Sequence, residues 1–401
     1  MQEIFSKLFN MTAFGAITYQ TVIMWAIAFV LLYLGIKKKY EPLLLVPIGF
    51  GVLLANFPGA QMGIVDASLI EVGDGRYKNL FEIAHEYGIL NFLYFSLIKT
   101  GFLPPIIFMG VGALTDFGPM LRNLRLAFFG AAAQIGIFTV LIGAILLGFN
   151  MNEAASLGII GGADGPTAIY TTIKLAPHLL GPIAIAAYSY MALVPVIIPL
   201  IANMFISKKE FQINMREMDK KYPPKHQIKN MKAVKIIFPI ALGTVVAIFV
   251  PSSVPLLGML LFGNLVKEIG TSTSRLAEAA TGPIMNTATI FLGLAVGATM
   301  TAEVFLTGKT IGIIVGGFIA FALSVTGGIF AVKTYNLFVT KKINPLVGAT
   351  GLSAVPMASR VANEMALKHN PANHILQYCM ASNISGVIGS AVAAGILISL
   401  V

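Results

Sequence analysis

Apolar residues come in long runs along this chain, near 17–36, 42–56, 88–113, 126–149, 153–173, 181–206, 234–250, 255–267, 281–300, 309–335, 345–366 and 375–400. A bilayer core needs about 20 such residues as a helix, so runs of 18 or more predict spans. The runs 42–56 and 255–267 are shorter and predict tilted, partial or re-entrant helices. The pattern predicts an all-α polytopic membrane protein with about 11 transmembrane helices, counted on that length criterion. The first run is followed rather than preceded by its charges, Lys37, Lys38 and Lys39, so it reads as a retained span and not a signal peptide.

Two segments interrupt the apolar pattern. Residues 57–87 carry Asp66, Glu71, Asp74, Glu82 and Glu86, with Leu80, Phe81, Ile83 and Ala84 spaced to lie on a membrane surface. Residues 207–235 are strongly basic, from Lys208 and Lys209 through Arg216, Lys220, Lys221 and Lys225 to Lys229, Lys232 and Lys235. The second segment separates two stretches that look alike. Gly162-Ala-Asp-Gly-Pro-Thr167 aligns with Gly348-Ala-Thr-Gly-Leu-Ser353, and Val111-Gly-Ala-Leu114 with Val296-Gly-Ala-Thr299 at nearly the same offset. The division predicted is an extra N-terminal span over 1–40, a first repeat over 41–206, a basic loop over 207–235 and a second repeat over 236–401. Such repeats in transporters are commonly inverted, so that two interrupted helices meet near the midplane.

Composition agrees with this reading. The chain has 401 residues, 57% hydrophobic and 11% charged, whereas a soluble domain carries about 25% charged residues. Its net charge of +10 resides in short loops, where basic residues set membrane orientation, and does not point to nucleic acid. The basic loop, Arg122 with Arg125, and Lys37 to Lys39 each argue for the cytoplasmic side. Simple crossing counts do not place all three there, which requires a short run that does not cross or a loop that breaks the charge rule. One cysteine, Cys379, leaves no intramolecular disulfide and no thiolate metal site, and the five histidines form no HExxH pattern.

The chemistry concentrates at two breaks in the apolar pattern. In Gly158-Ile-Ile-Gly-Gly-Ala-Asp-Gly-Pro-Thr167, helix breakers surround one carboxylate, Asp164. A carboxylate at the centre of a membrane helix costs ~2.5–3.5 kcal/mol on insertion scales, which favours a cation or proton site. The alternative is a cap for a half-helix beginning at Pro166. In the second break, 343–360, Asn344, Gly348 and Ser353 surround the interruption, with Pro356 just beyond. Arg360, two helical turns after Ser353, reads equally as an anion contact or as a side chain reaching the interface. In the last span Asn383, Gly386 and Ser390 form one small, polar stripe; Gly386 and Ser390 read as close-packing residues, while the Asn383 amide needs partners. Tyr188 and Tyr190 bring phenols into the apolar run after the first break, most simply as packing residues.

At these residues the chain resembles the β subunits of the biotin-dependent, sodium-pumping decarboxylases, which act on oxaloacetate, malonate, methylmalonyl-CoA or glutaconyl-CoA. The resemblance covers almost the whole chain and rests on GIIGGADGPTAIY at 158–170, INPLVGATGLSAVPMASR at 343–360 and SNISGVIGSAVAAG at 382–395. It implies a membrane subunit that decarboxylates carboxybiotin and couples this to Na+ export, with a proton consumed from the opposite side. The family's functional positions fall on Asp164, Tyr190, Asn344, Gly348, Ser353, Arg360 and Asn383. Asp164, Asn344, Gly348, Ser353 and Asn383 are thereby expected around Na+, and Asp164, Tyr190, Ser353 and Arg360 in turnover, with Arg360 at carboxybiotin. The implied partners are a carboxyltransferase α subunit, a biotin carrier and a small membrane γ or δ subunit, in the plasma membrane and in a complex with several copies of this chain. Without the resemblance, a secondary Na+-coupled organic anion transporter and a membrane scaffold remain as alternative readings, though a scaffold does not account for Asp164.

Overall fold

The computed structural model describes residues 12–72, 76–223, 228–354 and 357–401. Asp74, Lys225 and Pro356 therefore lie outside the described residues. The architecture is helical, apart from a two-residue antiparallel pair, β1 (Glu71–Val72) with β2 (Arg76–Tyr77). The main helices of the first part of the chain are α1 (Tyr19–Ile36), α2 (Pro42–Ala55), α3 (Leu80–Leu93), α4 (Leu103–Leu114), α5 (Leu124–Ala133) and α6 (Ile135–Leu146). They continue as α7 (Met151–Gly158), α8 (Gly165–Leu175), α9 (Leu180–Ala192) and α10 (Val194–Phe205). After the basic segment come α11 (Met231–Phe249), α12 (Val254–Ile269), α13 (Met285–Ala298), α14 (Gly308–Phe338), α15 (Met357–His369) and α16 (Leu376–Leu400).

Among the described residues, seven helical stretches are long and apolar enough to cross a membrane, or nine if each bent pair counts as one span. The class agrees with the sequence; the expected count of about 11 exceeds this range. The excess comes from short pieces: α2 has 14 residues, and the two broken regions consist of half-helices such as α7, with 8. The run 255–267, expected to be tilted, partial or re-entrant, lies in a 19-residue helical stretch, Pro251–Ile269, long and apolar enough to cross. The surface-helix segment becomes the start of a bent pair, with 80–98 and 103–114 turned 69° from each other. Large apolar side chains such as Phe128, Leu146, Ile248, Phe249 and Leu337 are exposed on the outside, as a lipid-facing surface requires.

Glycines set the closest helix crossings. A side chain on Gly51 would collide with the Leu294 carbonyl and one on Gly297 with the Ile48 carbonyl, where α2 crosses α13. Likewise Gly112 meets the Leu260 backbone and Gly263 the Met109 backbone, where α4 crosses α12. Each crossing pairs a helix from before the basic segment with one from after it. Two helices then run through the centre: α14 packs on α5, α6, α9 and α10, and α16 packs on α5 and α8. Where helices stop inside the protein, amides close the freed backbone groups: Asn264 donates to the carbonyls of Gly112 and Thr115, and Asn56 to Val52 and Met300.

The beginning of the basic segment is docked, not solvated. Asn344 and Asn373 both donate to the carbonyls of Phe211 and Ile213, and the Phe211 ring stacks on His369 at 4.3 Å. Asp219 accepts from Tyr378 at 2.5 Å and pairs with Lys341 at 2.7 Å.

Candidate functional site: a buried carboxylate between two broken helices

The first break is built by local backbone chemistry. α7 starts on a capping box, Asn150 with Glu153, and tightens into a 3-10 turn over Ile159–Gly162. Ala163 then adopts a left-handed conformation, φ +53°, unfavourable for a residue with a Cβ by roughly 1–2 kcal/mol. Asp164 returns to an extended conformation and caps α8, Oδ1 accepting from the Thr167 amide at 3.1 Å. The capping alternative is thus part of what Asp164 does.

The other carboxylate oxygen does something a cap does not require. Asp164 Oδ2 accepts from the Ser353 hydroxyl at 2.7 Å and the Ser390 hydroxyl at 2.8 Å. These serines come from the second break and from α16. A backbone bond from the Ser353 amide to the Gly162 carbonyl, 3.0 Å, joins the two breaks directly. Asp164 is 3% exposed, and all three of these donors are uncharged. A buried carboxylate without a cationic partner is costly.

Around it, several buried oxygens find no hydrogen-bond partner among the described residues: Thr167 Oγ1, Tyr188 OH, Gln134 Oε1 and Asn383 Oδ1. Thr167 lies on the first turn of α8. The Tyr188 ring fills the space a Cβ on Gly165 would need, next to Asp164. The amide nitrogen of Asn383 holds the carbonyls of Leu352 at 2.7 Å and Ala354 at 3.4 Å, on either side of Ser353. Gln134 sits at the junction of α5 and α6, donates to the carbonyls of Gly130 and Gly386, and packs against Gly162 and Gly389. One carboxylate amid neutral hydroxyl and amide oxygens is the donor set a hard cation prefers. Among the described residues no three His, Cys, Asp or Glu side chains gather elsewhere to offer a competing metal site.

Of the residues singled out in the sequence, Asp164, Ser353 and Asn383 therefore come together. Asn344, Gly348, Tyr190 and Arg360 lie elsewhere. Both polar ends of Asn344 are occupied, its nitrogen by the docked basic segment and its oxygen by the Leu346 amide. Gly348 serves a backbone contact with Gly328 on α14. Tyr190 donates to the Ile314 carbonyl and packs edge-on against Phe318, 6.1 Å between centroids, so it faces α14. Arg360 is exposed on α15 and acts on Glu41, a loop residue whose carboxyl is raised by burial, with the Arg360 charge opposing that rise. Three further residues stand around this junction: Ser390, which the sequence alone reads as a packing residue; Tyr188, where the resemblance points to Tyr190; and Gln134, one amide in an Ala- and Gly-rich span that carries no signal of its own.

Comparison with known proteins covers nearly the whole chain. Residues 20–401 match the family described as the Na+-transporting oxaloacetate decarboxylase beta subunit. The chain is 46% identical to the methylmalonyl-CoA decarboxylase subunit beta of Propionigenium modestum, over 100% of both chains. It is 44% identical to the oxaloacetate decarboxylase beta chain 2 of Salmonella typhi, covering 94% of each. A further similar protein, at 44% identity over 98% of this chain and 96% of the other, is the methylmalonyl-CoA decarboxylase subunit beta of Veillonella parvula.

Proposed function

We propose, from the premise that this chain belongs to the family of Na+-transporting decarboxylase β subunits, that it removes CO2 from carboxybiotin on a partner carrier and moves Na+ outward across the plasma membrane. The observation that carries the ion half of this reading is Asp164 Oδ2, buried with no cationic partner among the described residues and shared by hydroxyls from two separate parts of the chain. A carboxylate binds a cation as the anion and a proton as the acid, never both at full occupancy. Na+ and H+ then compete for one group, and consumption of the proton by biotin links the chemistry to the direction of ion movement.

In this reading Asp164, Ser353 and Ser390 hold Na+, with Thr167, Gln134 and Asn383 supplying further oxygens. The two serine hydroxyls rotate easily between donating to the carboxylate and presenting lone pairs to the ion. Tyr188 stands beside Asp164 as a proton-bearing group, while Tyr190 contributes through its hold on α14. Arg360 and the exposed surface around it meet the anionic carboxybiotin. A carboxyltransferase α subunit, the biotin carrier and a small membrane subunit complete the assembly.

Inverted repeats supply the moving parts. Exchanging the two halves maps α2 onto α12 and α4 onto α13, which turns the α2–α13 crossing into the α12–α4 crossing. Both crossings exist, each made by facing glycines, and Gly112 and Gly297 are the matched glycines of the two Val-Gly-Ala motifs. These facts support two repeats on either side of the basic segment; on this mapping α11 answers to α1, so the first repeat takes in α1, ahead of the boundary expected at 41. The junction between Gly162 and Ser353 then closes the site on one side and opens when the broken helices move together.

The test is Na+ uptake by inverted membrane vesicles bearing the assembled complex and supplied with a carboxybiotin carrier. Uptake that follows carrier decarboxylation supports the proposal. Decarboxylation at full rate without Na+ movement, or Na+ movement driven only by an organic anion gradient, overturns it.

A further inference from the structure

A groove between α14 and the α5–α6 pair shares only Gln134 with the site just described. Two cavities, of about 430 and 530 Å3, share Phe330 and Thr334 in their walls. The larger is lined by Lys209, Lys333 and Lys342 together with Glu210. The smaller is a trough of Ala131, Ile135, Phe138 and Gly327 with Gln134 on its wall. One end of the groove is cationic and the other is hydrocarbon.

The cationic end keeps donors to spare. Lys333 spends one contact on the Phe205 carbonyl at 2.8 Å and one on Glu210 at 3.3 Å, and Lys342 donates to the Asn336 carbonyl. Each ammonium has three donors. Lys209 is exposed, and among the described residues it makes no hydrogen bond or ion pair. Three cations against one carboxylate leave this end positive. Beside it Phe330, Leu337 and Phe338 are exposed, so the lysines stand at the edge of the lipid-facing surface. A free anion would use only the lysine end, and a neighbouring helix would use only the trough. The shared wall at Phe330 and Thr334 favours one molecule that occupies both.

We propose that this groove binds an anionic phospholipid, its phosphate at Lys209, Lys333 and Lys342 and an acyl chain in the trough beneath Phe330. The placement has a functional consequence. Gln134 lines the trough with one part of its side chain and packs against Gly162 and Gly389 with another. The acyl chain therefore lies one side chain away from the Asp164 cluster, and its presence fixes the Gln134 rotamer.

The full chain, purified in mild detergent, is equilibrated with mixed phosphatidylcholine and phosphatidylglycerol, and retained lipid is counted by native mass spectrometry. Phosphatidylglycerol is retained in preference, and replacing Lys209 and Lys342 by Gln lowers that retention by roughly fivefold per lysine, the contribution of a basic side chain at an anionic membrane surface. Thr334→Trp, at an exposed position in the shared wall, removes retention while all three lysines remain. Equal retention of the two lipids overturns the proposal. So does unchanged retention in both variants, displacement by inorganic phosphate as effective as by lipid, or a crosslink from cysteine at Ala131 to a second copy. If a variant fails to fold, the wild-type lipid preference and the phosphate competition decide alone.

Discussion

Asp164 and Ser353 are 189 residues apart in the chain and 2.7 Å apart in space. Their contact is reinforced one step away by the Ser353 amide on the Gly162 carbonyl, so two helix breaks form one junction. A carboxylate at this junction feels any separation of the two segments, because separation removes a hydrogen bond to a charged group. Such bonds contribute ~1.5–3 kcal/mol each.

Asp164→Asn keeps the size of the side chain and an oxygen to cap α8, since Asn and Asp cap equally well. The cap on α8 is kept, while the Ser353 and Ser390 hydroxyls lose their charged acceptor. Na+-dependent decarboxylation and 22Na uptake should both be lost. Na+ should also raise the melting temperature of the wild type and not of the variant, because a ligand at 100 times its Kd stabilises by ~2.7 kcal/mol. Full Na+-dependent turnover by a correctly assembled Asp164→Asn protein would remove this carboxylate from the ion path.

Ser390→Ala separates ion binding from helix packing. A packing residue tolerates alanine, whereas a hydroxyl on the carboxylate does not. The expected result is a rise of roughly 10- to 100-fold in the Na+ concentration for half-maximal turnover, the equivalent of one charged hydrogen bond. Ser353→Ala should behave in the same way. An unchanged Na+ dependence for Ser390→Ala returns it to the packing stripe.

The two tyrosines should respond in opposite ways. Tyr190→Phe removes its bond to the Ile314 carbonyl, so it should cost about 0.5–1.5 kcal/mol of stability. Tyr188 OH has no partner to lose among the described residues, so Tyr188→Phe should leave thermal stability unchanged and alter the pH dependence of decarboxylation. A stability loss for Tyr188→Phe together with an unchanged pH profile would assign it to packing alone.

Ala163 holds a conformation that glycine adopts freely. Ala163→Gly should therefore leave stability level or raise it by up to about 1 kcal/mol, depending on the entropy gained by the unfolded chain. Ala163→Val should destabilise clearly, since a β-branched residue is disfavoured there. Thermal unfolding in detergent distinguishes them; equal melting temperatures for both variants would show that the turn relaxes.

Asn344→Ala tests the docked basic segment. With its amide gone, the Phe211 and Ile213 carbonyls keep only Asn373. Limited trypsin digestion within 208–221 should accelerate, while Na+ protection of the melting temperature remains. Loss of that protection with unchanged digestion would place Asn344 at the ion instead.

Hydrophobic run length determined from the sequence alone that this chain is a helical membrane protein, because a bilayer leaves the backbone no other way to satisfy itself without a closed barrel. Glycine and proline placement located both breaks, and the rarity of an acid in such a setting singled out Asp164. The glycine motifs near 112 and 297 were visible as a match, but only the folded chain shows them as helix crossings. Partner choice was decided by tertiary structure. Ser390 and Gly386 look alike in a small-residue stripe, yet only Ser390 has a hydroxyl aimed at a carboxylate 226 positions away. Tyr188 and Tyr190 differ by two residues, about 200° around a helix at 3.6 residues per turn, so they face opposite neighbours. Gln134 gave no local signal, because its importance comes from the helix end and the glycines it touches. Helix phase and the packing of distant segments fix these contacts, and neither is written in any short stretch of the chain.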